Sequence, residues 1–246
     1  MPPAPAAYRA RPAPPGLAPW VECAWEVAAG PDGRMQRVLP DGCMDIVFVD
    51  GRGLEAVGAN VAAFLSAIPP GGSAVGVRMR PGGAPPLLGI SGEALLDARP
   101  PAAEVLGDDA RRLEERLAAA PSAPARADAI LGWIADRARR AERPDPVVAR
   151  VAERLAGDSR AAVTDLADET GIGARHLRRR VVREVGYGPR RLARVLRLQR
   201  TVALAAADPD AGLSELAFRA GYSDQSHLSH ECRELAGLPP SQLLAR

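Results

Sequence analysis

Apolar positions change their period once along this chain. From about Trp20 to Ile90 they alternate or cluster in short runs: Val21-Glu-Cys-Ala-Trp-Glu-Val27 alternates, Cys43 to Val49 is nearly all apolar, and Leu54–Ala59 and Val75–Arg80 follow. Turn signals such as Pro40-Asp-Gly42, Pro69-Pro-Gly-Gly72 and Pro81-Gly-Gly83 separate them. Short strands at this spacing predict a mostly-β barrel or sandwich. From about residue 91 the spacing becomes helical. Ser91-Gly-Glu-Ala-Leu95 reads as a helix start, and 108–120 places Leu113 and Leu117 on one stripe. A further helix, 124–141, carries Ile130, Leu131, Ile134 and Ala138. The helical pair 108–141 is expected to cover the β-domain core, with dimer contact as the less favoured role.

Arg143-Pro-Asp-Pro146 is the clearest interdomain break. Asp145 is placed to cap, and Pro146 to open, a helix with Val147, Val148, Val151 and Leu155 inward, ending at Gly157. Beyond it one pattern is written twice. Leu166-Ala167-x-x-x-Gly171-Ile172 recurs as Leu216-Ala217-x-x-x-Gly221-Tyr222. His176-Leu177, Val181, Gly186, Pro189 and Leu192 recur as His227-Leu228, Cys232, Gly237, Pro240 and Leu243. A repeat of this kind marks a duplicated supersecondary unit. Each copy has the anatomy of a helix-turn-helix, over about 163–186 and 213–237: a short helix, a glycine where the backbone must turn left-handed, and a second helix at 174–185 or 224–236. A helix at 189–207 joins them and is expected to hold them about 34 Å apart, one turn of DNA. The expected fold class is therefore α+β: an extended or disordered lead-in over 1–19, a β-rich regulatory domain over 20–142, and an all-α domain of about seven helices over 146–246.

Net charge is only +2, but its placement changes the picture. All 32 basic residues are arginine, so abundance reflects coding bias before function. Between Arg175 and Arg200, however, ten arginines face one acid, Glu184, which is the footprint of a phosphate-binding surface. The arginines on the outer face of the first unit's second helix, Arg175, Arg178 and Arg179, are expected to reach base edges. Arg180, Arg183, Arg190 and Arg191 are expected on phosphates. In the second unit Gln225, Ser226, Ser229 and His230 are the expected base readers and Arg233 a phosphate contact, while Asp224 is expected to cap its helix.

Three cysteines, Cys23, Cys43 and Cys232, are too few for a disulfide framework, and a reducing compartment is expected. With no apolar run of membrane-spanning length and no signal pattern at the N-terminus, a cytoplasmic protein is expected. His176, His227 and His230 all fall in the reading helices, so the β-domain offers no histidine for acid–base work or metal. No triad, paired carboxylates or phosphate loop appears, and neither enzyme activity nor a cofactor is expected. An effector pocket between the strands is expected to be lined by Trp25, Ile46, Phe48, Val77 and Met79.

The stretch Leu213-Ser-Glu-Leu-Ala-Phe-Arg-Ala-Gly-Tyr-Ser-Asp-Gln-Ser-His-Leu-Ser-His230, followed by Gly237-Leu-Pro-Pro240, resembles the C-terminal signature of AraC/XylS-family transcription regulators, and with the first unit the resemblance covers about 146–246. It implies seven helices, promoter DNA and RNA polymerase as partners, and activation rather than repression. Leu39-Pro-Asp-Gly-Cys-Met-Asp45 and Gly76-Val-Arg-Met-Arg-Pro-Gly82 resemble an uncharacterised sensor-type domain found on such regulators, which implies control by a small-molecule effector or by homodimerisation. Compared with the family, His230 stands where arginine is usual, Cys232 where phenylalanine is usual, and Gly173 where a serine or threonine cap is expected. The second unit is therefore expected to be the weaker reader. Two rival readings are a DNA-repair alkyltransferase using Cys23 or Cys43, and an interaction module that no longer binds DNA.

Overall fold

The computed structural model describes residues 8–158 and 160–245. Seven strands come first: β1 (Arg9–Pro12), β2 (Val21–Ala28), β3 (Arg34–Val38), β4 (Met44–Val49), β5 (Gly53–Val57), β6 (Phe64–Ile68) and β7 (Ser73–Met79). Five of them form one antiparallel sheet in the order β1-β2-β7-β4-β5, while β3 and β6 pair as a separate ribbon. Of the expected barrel or sandwich, the closed barrel does not form: the sheet is open and covered on both faces. Ile46, Phe48, Val75, Val77 and Met79 face the helices α3 (Asp108–Ala119) and α4 (Ala123–Ala138), which contribute Leu113, Leu117, Ile130, Trp133 and Ile134 to that core. Val27, Val47, Val49 and Ala74 face the ribbon, where Ile68 closes a smaller core. All six residues of β4 are buried, because this strand has apolar cover above and below; hence its sequence does not alternate.

Other differences have local causes. The ribbon was not anticipated, since its strands carry exposed apolar residues, Met35 and Leu65, among polar ones. Residues 91–97 form successive turns rather than a helix, and two short helices flank them, α1 (Ala84–Leu88) and α2 (Ala102–Leu106). Within the lead-in, Arg9–Pro12 is extended and pairs with Cys23–Glu26 of β2; residues 1–7 lie outside the described residues. The helical pair does cover the sheet: Ile130 and Ile134 have no exposed surface.

The all-α part comprises α5 (Pro146–Gly157), α6 (Val163–Thr170), α7 (Ala174–Val185), α8 (Pro189–Ala207), α9 (Leu213–Ala220), α10 (Gln225–Ala236) and α11 (Pro240–Leu243). Asp145 caps α5, its carboxylate accepting from the amides of Val147 (2.9 Å) and Val148 (3.4 Å). Helix α8 divides its apolar face between two cores: Leu192 and Val195 join Val148, Val151, Leu166, Leu177 and Val181, and Leu198 joins Tyr222, Leu228 and Cys232.

The two parts are joined by more than a linker. Gly42, at φ +82°, brings the loop after β3 so close to α8 that a Cβ there would lie 2.8 Å from Leu192 Cδ1. Gln199 Nε2 of α8 donates to Pro40 O at 2.8 Å, and Ala59 is buried within the core built on α5 to α8.

Candidate nucleic-acid interface

The duplication is physical as well as textual. Helices α6 and α9 both end on a left-handed glycine, Gly171 (φ 70°) and Gly221 (φ 99°). In each the next amide returns to the same place: Ile172 N to Ala167 O at 3.2 Å, and Tyr222 N to Ala217 O at 2.9 Å. Those bonds satisfy carbonyls that a helix end would leave open, and they set the angle at which the second helix departs. The inward anchors correspond as well, with Leu166, Leu177 and Val181 in the first unit and Leu216, Leu228 and Cys232 in the second all buried.

On α7, Arg175, Arg178 and Arg179 are exposed opposite that buried stripe. Among the described residues none of the three has an ion-pair partner, and neither does Arg190 at the start of α8; the side chains of Arg175, Arg179 and Arg190 also make no hydrogen bond. Arg178 runs along the α7–α8 turn, its Nε 3.6 Å from the Cβ direction of Gly188. The other basic residues are committed. Arg180 Nε pairs with Asp145 at 2.7 Å, and Arg183 Nε with the buried Glu184 at 2.7 Å, although the Arg183 side chain stays 75% exposed. Arg191 Nη1 pairs with Glu234 (3.2 Å), and its Nη2 donates to Val61 O (2.7 Å). Arg194 meets both Glu231 (2.5 Å) and Glu234, and Arg197 lies 3.8 Å from Glu231.

Counting charges along 175–200 therefore overstated the footprint. Arg191, Arg194 and Arg197 recur every three residues on one face of α8, and that face meets Glu231 and Glu234 of α10. The acids that balance them lie about forty residues further along the chain, at a spacing linear inspection does not connect. The exposed positive field narrows to α7 and the first turn of α8.

Helix α10 is differently equipped. Asp224 caps it as expected, accepting from His227 N at 2.8 Å, and that bond holds its carboxyl below the usual range. Gln225, Ser226 and His230 are exposed and Ser229 is half-buried. Ser214 donates to Gln225 Oε1 (3.0 Å), Arg233 turns back to Ser229 O (3.4 Å), and His230 Nε2 stands 3.8 Å from Glu234. Gly173 begins α7 without a side-chain cap, as its sequence implied.

Sequence reasoning missed how the N-terminal domain touches both reading helices at the same end. Gly92 N donates to Arg183 O in the last turn of α7 at 2.7 Å. Ala63 N donates to Leu235 O at 2.7 Å and Arg37 Nη1 to Ala236 O at 2.9 Å, both in the last turn of α10. Carbonyls that a helix leaves unpaired at its C-terminus thus receive donors from the β-rich part. Two of these are backbone amides, which carry no residue-type signal.

The expected effector residues do not share a cavity. Ile46, Val77 and Met79 have no exposed surface and, with Phe48, pack against α4. Trp25 lies across the sheet, where its indole covers Gly76 and its Nε1 donates to Asp45 Oδ1 at 3.2 Å. On that side Arg78 Nε stands between Asp41 (3.2 Å) and Asp45 (3.4 Å). Burial raises the thiols of Cys23 and Cys43, well above the ordinary value for Cys43, opposite to what an alkyl acceptor requires. Among the described residues no group of three His, Cys, Asp or Glu could hold a metal ion.

Burial also pushes the Asp45 carboxyl up to about 6, against the pull of Arg78. The folded protein then holds this proton more tightly than the unfolded chain, where the group titrates near 3.9. Its contribution to stability is present at low pH and is lost as pH rises through about 6. Urea midpoints of the wild type and Asp45→Asn should therefore diverge as pH rises from about 4.5 to 7, the wild type falling relative to the variant. Parallel profiles would refute this assignment.

A pair of helix-turn-helix units on a shared central helix, with a bare arginine face on the first reading helix, defines a DNA-binding protein of the double helix-turn-helix class. Residues 166–246 match the family described as a helix-turn-helix domain, and residues 9–101 match a domain of unknown function, DUF6597. No curated protein matches the chain significantly. Among solved structures, a probable AraC family transcriptional regulator from Rhodopseudomonas palustris is 25% identical over 41% of this chain and 95% of that one, with a TM-score of 0.37. The C-terminal domain of AraT, a response regulator from Geobacillus stearothermophilus, is 22% identical over 40% of this chain and 83% of that one, with a TM-score of 0.38. ToxT from Vibrio cholerae, bound to (E)-4-(8-methylnaphthalen-1-yl)but-3-enoic acid, aligns over 97% of this chain and 98% of that one at 12% identity, with a TM-score of 0.50, a likeness of fold. The chain is a DNA-binding transcription regulator that joins a C-terminal helix-turn-helix domain to an N-terminal DUF6597 domain. Among the described residues no helix is long and apolar enough to cross a membrane.

Proposed function

We propose that this regulator binds promoter DNA sequence-specifically, with α7 and α10 in successive major grooves on one face of the duplex. It acts as an activator in contact with RNA polymerase, and its N-terminal domain controls it through a small-molecule effector or homodimerisation. The observation that carries the DNA-reading part is the exposed, carboxylate-free trio Arg175, Arg178 and Arg179 on the first reading helix. Arg175, Arg178 and Arg179 read base edges, an arginine pairing in two-pronged fashion with guanine. Arg190 and the exposed arm of Arg183 grip phosphates. Arg180, Arg191 and Arg233 contribute less there, because carboxylates or a carbonyl already hold them. Gln225, Ser226, Ser229 and His230 read the second half-site more weakly, being uncharged or next to Glu234.

A titration against the cognate operator at fixed salt tests this. Arg175→Ala and Arg179→Ala should each cost about 1–3 kcal/mol, roughly 5- to 150-fold in affinity, and relax sequence preference. Arg190→Ala should weaken binding evenly across sequences and lower the salt slope by about 0.9, whereas Arg191→Ala should leave that slope nearly unchanged. Unchanged affinity and preference in the Arg175 and Arg179 variants would refute the reading.

A further inference from the structure

Two N-terminal motifs, Leu39–Asp45 and Gly76–Gly82, have no part in DNA reading, yet the fold brings them together. They meet at one wall of a cleft of about 530 Å³, whose opposite wall belongs to the helical domain. On the first wall stand Glu22, Cys43 and Arg78; on the second Ala152 and Glu153 of α5 and Leu196 of α8. The volume is that of a small-molecule site, in the usual range of about 300–1,000 Å³.

Its charge is one-sided. Arg78 is already bracketed by Asp41 and Asp45, and Arg80 Nε donates to Ala18 O at 2.9 Å. Among the described residues Glu22 has only the Cys43 thiol as a donor, at 3.6 Å, and Glu153 has no ion-pair partner. Three carboxylates, Glu22, Asp41 and Glu153, thus line the cleft with two guanidiniums, and the two carboxylates free to take a cation lie on opposite walls. Alanines of α5 and Leu196 supply an apolar floor beside them. An anionic ligand would meet Glu22 and Glu153 unpaired, while a cation satisfies both.

We infer that this cleft is a binding site for a primary amine carrying a hydrocarbon arm, its ammonium held between Glu22 and Glu153 and its arm along α5 and Leu196. Occupancy ties the Pro40–Cys43 loop to α5 and α8, the elements that carry the two reading units, so the inference gives a location and a ligand class to the effector control proposed above, and rests on that reading.

Calorimetry on the full chain with n-hexylamine, and with n-hexanoate as the matched anion, tests the site. Hexylamine should bind and hexanoate should not. Glu22→Gln/Glu153→Gln should weaken hexylamine by about tenfold or more, as expected when a charged hydrogen-bond acceptor is lost. Ala156→Phe, at an exposed position lining the cleft, should block it. Hexanoate binding as well as hexylamine, or hexylamine affinity unchanged by the double substitution, would overturn the inference; since both glutamates are exposed, that variant folds even if Ala156→Phe does not. Operator affinity measured in parallel separates the two readings. Hexylamine binding of the expected pattern without any change in operator affinity supports the site and refutes effector control through it. Absence of hexylamine binding overturns the site and leaves effector control to stand or fall on its own titration.

Discussion

Replacing Glu231 with alanine is expected to destabilise the folded protein by about 3–5 kcal/mol, the usual consequence of removing one partner from a buried ionic group. The Glu231 side chain is 4% exposed and holds Arg194 at 2.5 Å, with Arg197 at 3.8 Å. Without it, Arg194 loses its 2.5 Å carboxylate partner, and the Arg197 side chain, itself only 12% exposed, loses the carboxylate 3.8 Å away. Arg197 also lies 5.3 Å over the Tyr222 ring, which fills the core of the second unit, so the loss should spread to the packing of α9 and α10. Glu231→Gln keeps the shape and one acceptor, and should fall between wild type and alanine. A drop in the urea midpoint with an unchanged slope is the expected signature. Midpoints within about 0.5 kcal/mol of wild type, the range of an ordinary surface substitution, would mean that the α8–α10 contact is not what positions the second reading helix.

That network also marks the limit of what was legible in the sequence. Helix boundaries in the DNA-binding half could be read closely because local rules set them. Asp145-Pro146 starts α5, Gly171 and Gly221 stop α6 and α9, and α7 and α8 run over the expected 174–185 and 189–207. The exposed face of α7 followed from Leu177 and Val181 alone. What could not be read were pairings between distant segments. The arginine run looked like one basic surface until α10 folded its acids onto the middle of it. The expected pocket chose residues correctly as strand-borne and apolar, but Ile46 and Trp25 sit on strands paired so that the two side chains leave opposite faces of the sheet. The ribbon of β3 and β6 covers that second face with half-exposed residues whose pattern carries little information. In physical terms, caps and stripes are local and sequence-encoded, whereas which charged face meets which is a property of packing.

Gly42 to alanine should destabilise the protein, and its effect should depend on a residue of the other domain. At φ +82° the backbone lies in the left-handed region, which costs a non-glycine residue about 1–2 kcal/mol. The added Cβ would stand 2.8 Å from Leu192 Cδ1, well inside contact distance. Leu192 is fully buried in the core of α5 to α8, so it yields only by disturbing that core, at about 1–3 kcal/mol for an overpacked site. Leu192→Ala alone should cost about 2–5 kcal/mol through the cavity it leaves. Combined, the two changes should cost less than their sum, because the methyl added at position 42 enters space vacated at 192. The backbone penalty remains while the overlap disappears, giving a coupling of about 1 kcal/mol or more in the compensating direction. The cycle is read from urea unfolding of the four proteins. Additive costs would mean that the Pro40–Cys43 loop does not rest on α8 in solution, and the route from the N-terminal domain to the helix carrying both reading units would have to run elsewhere, through Arg37, Ala63 and Gly92 at the ends of α7 and α10.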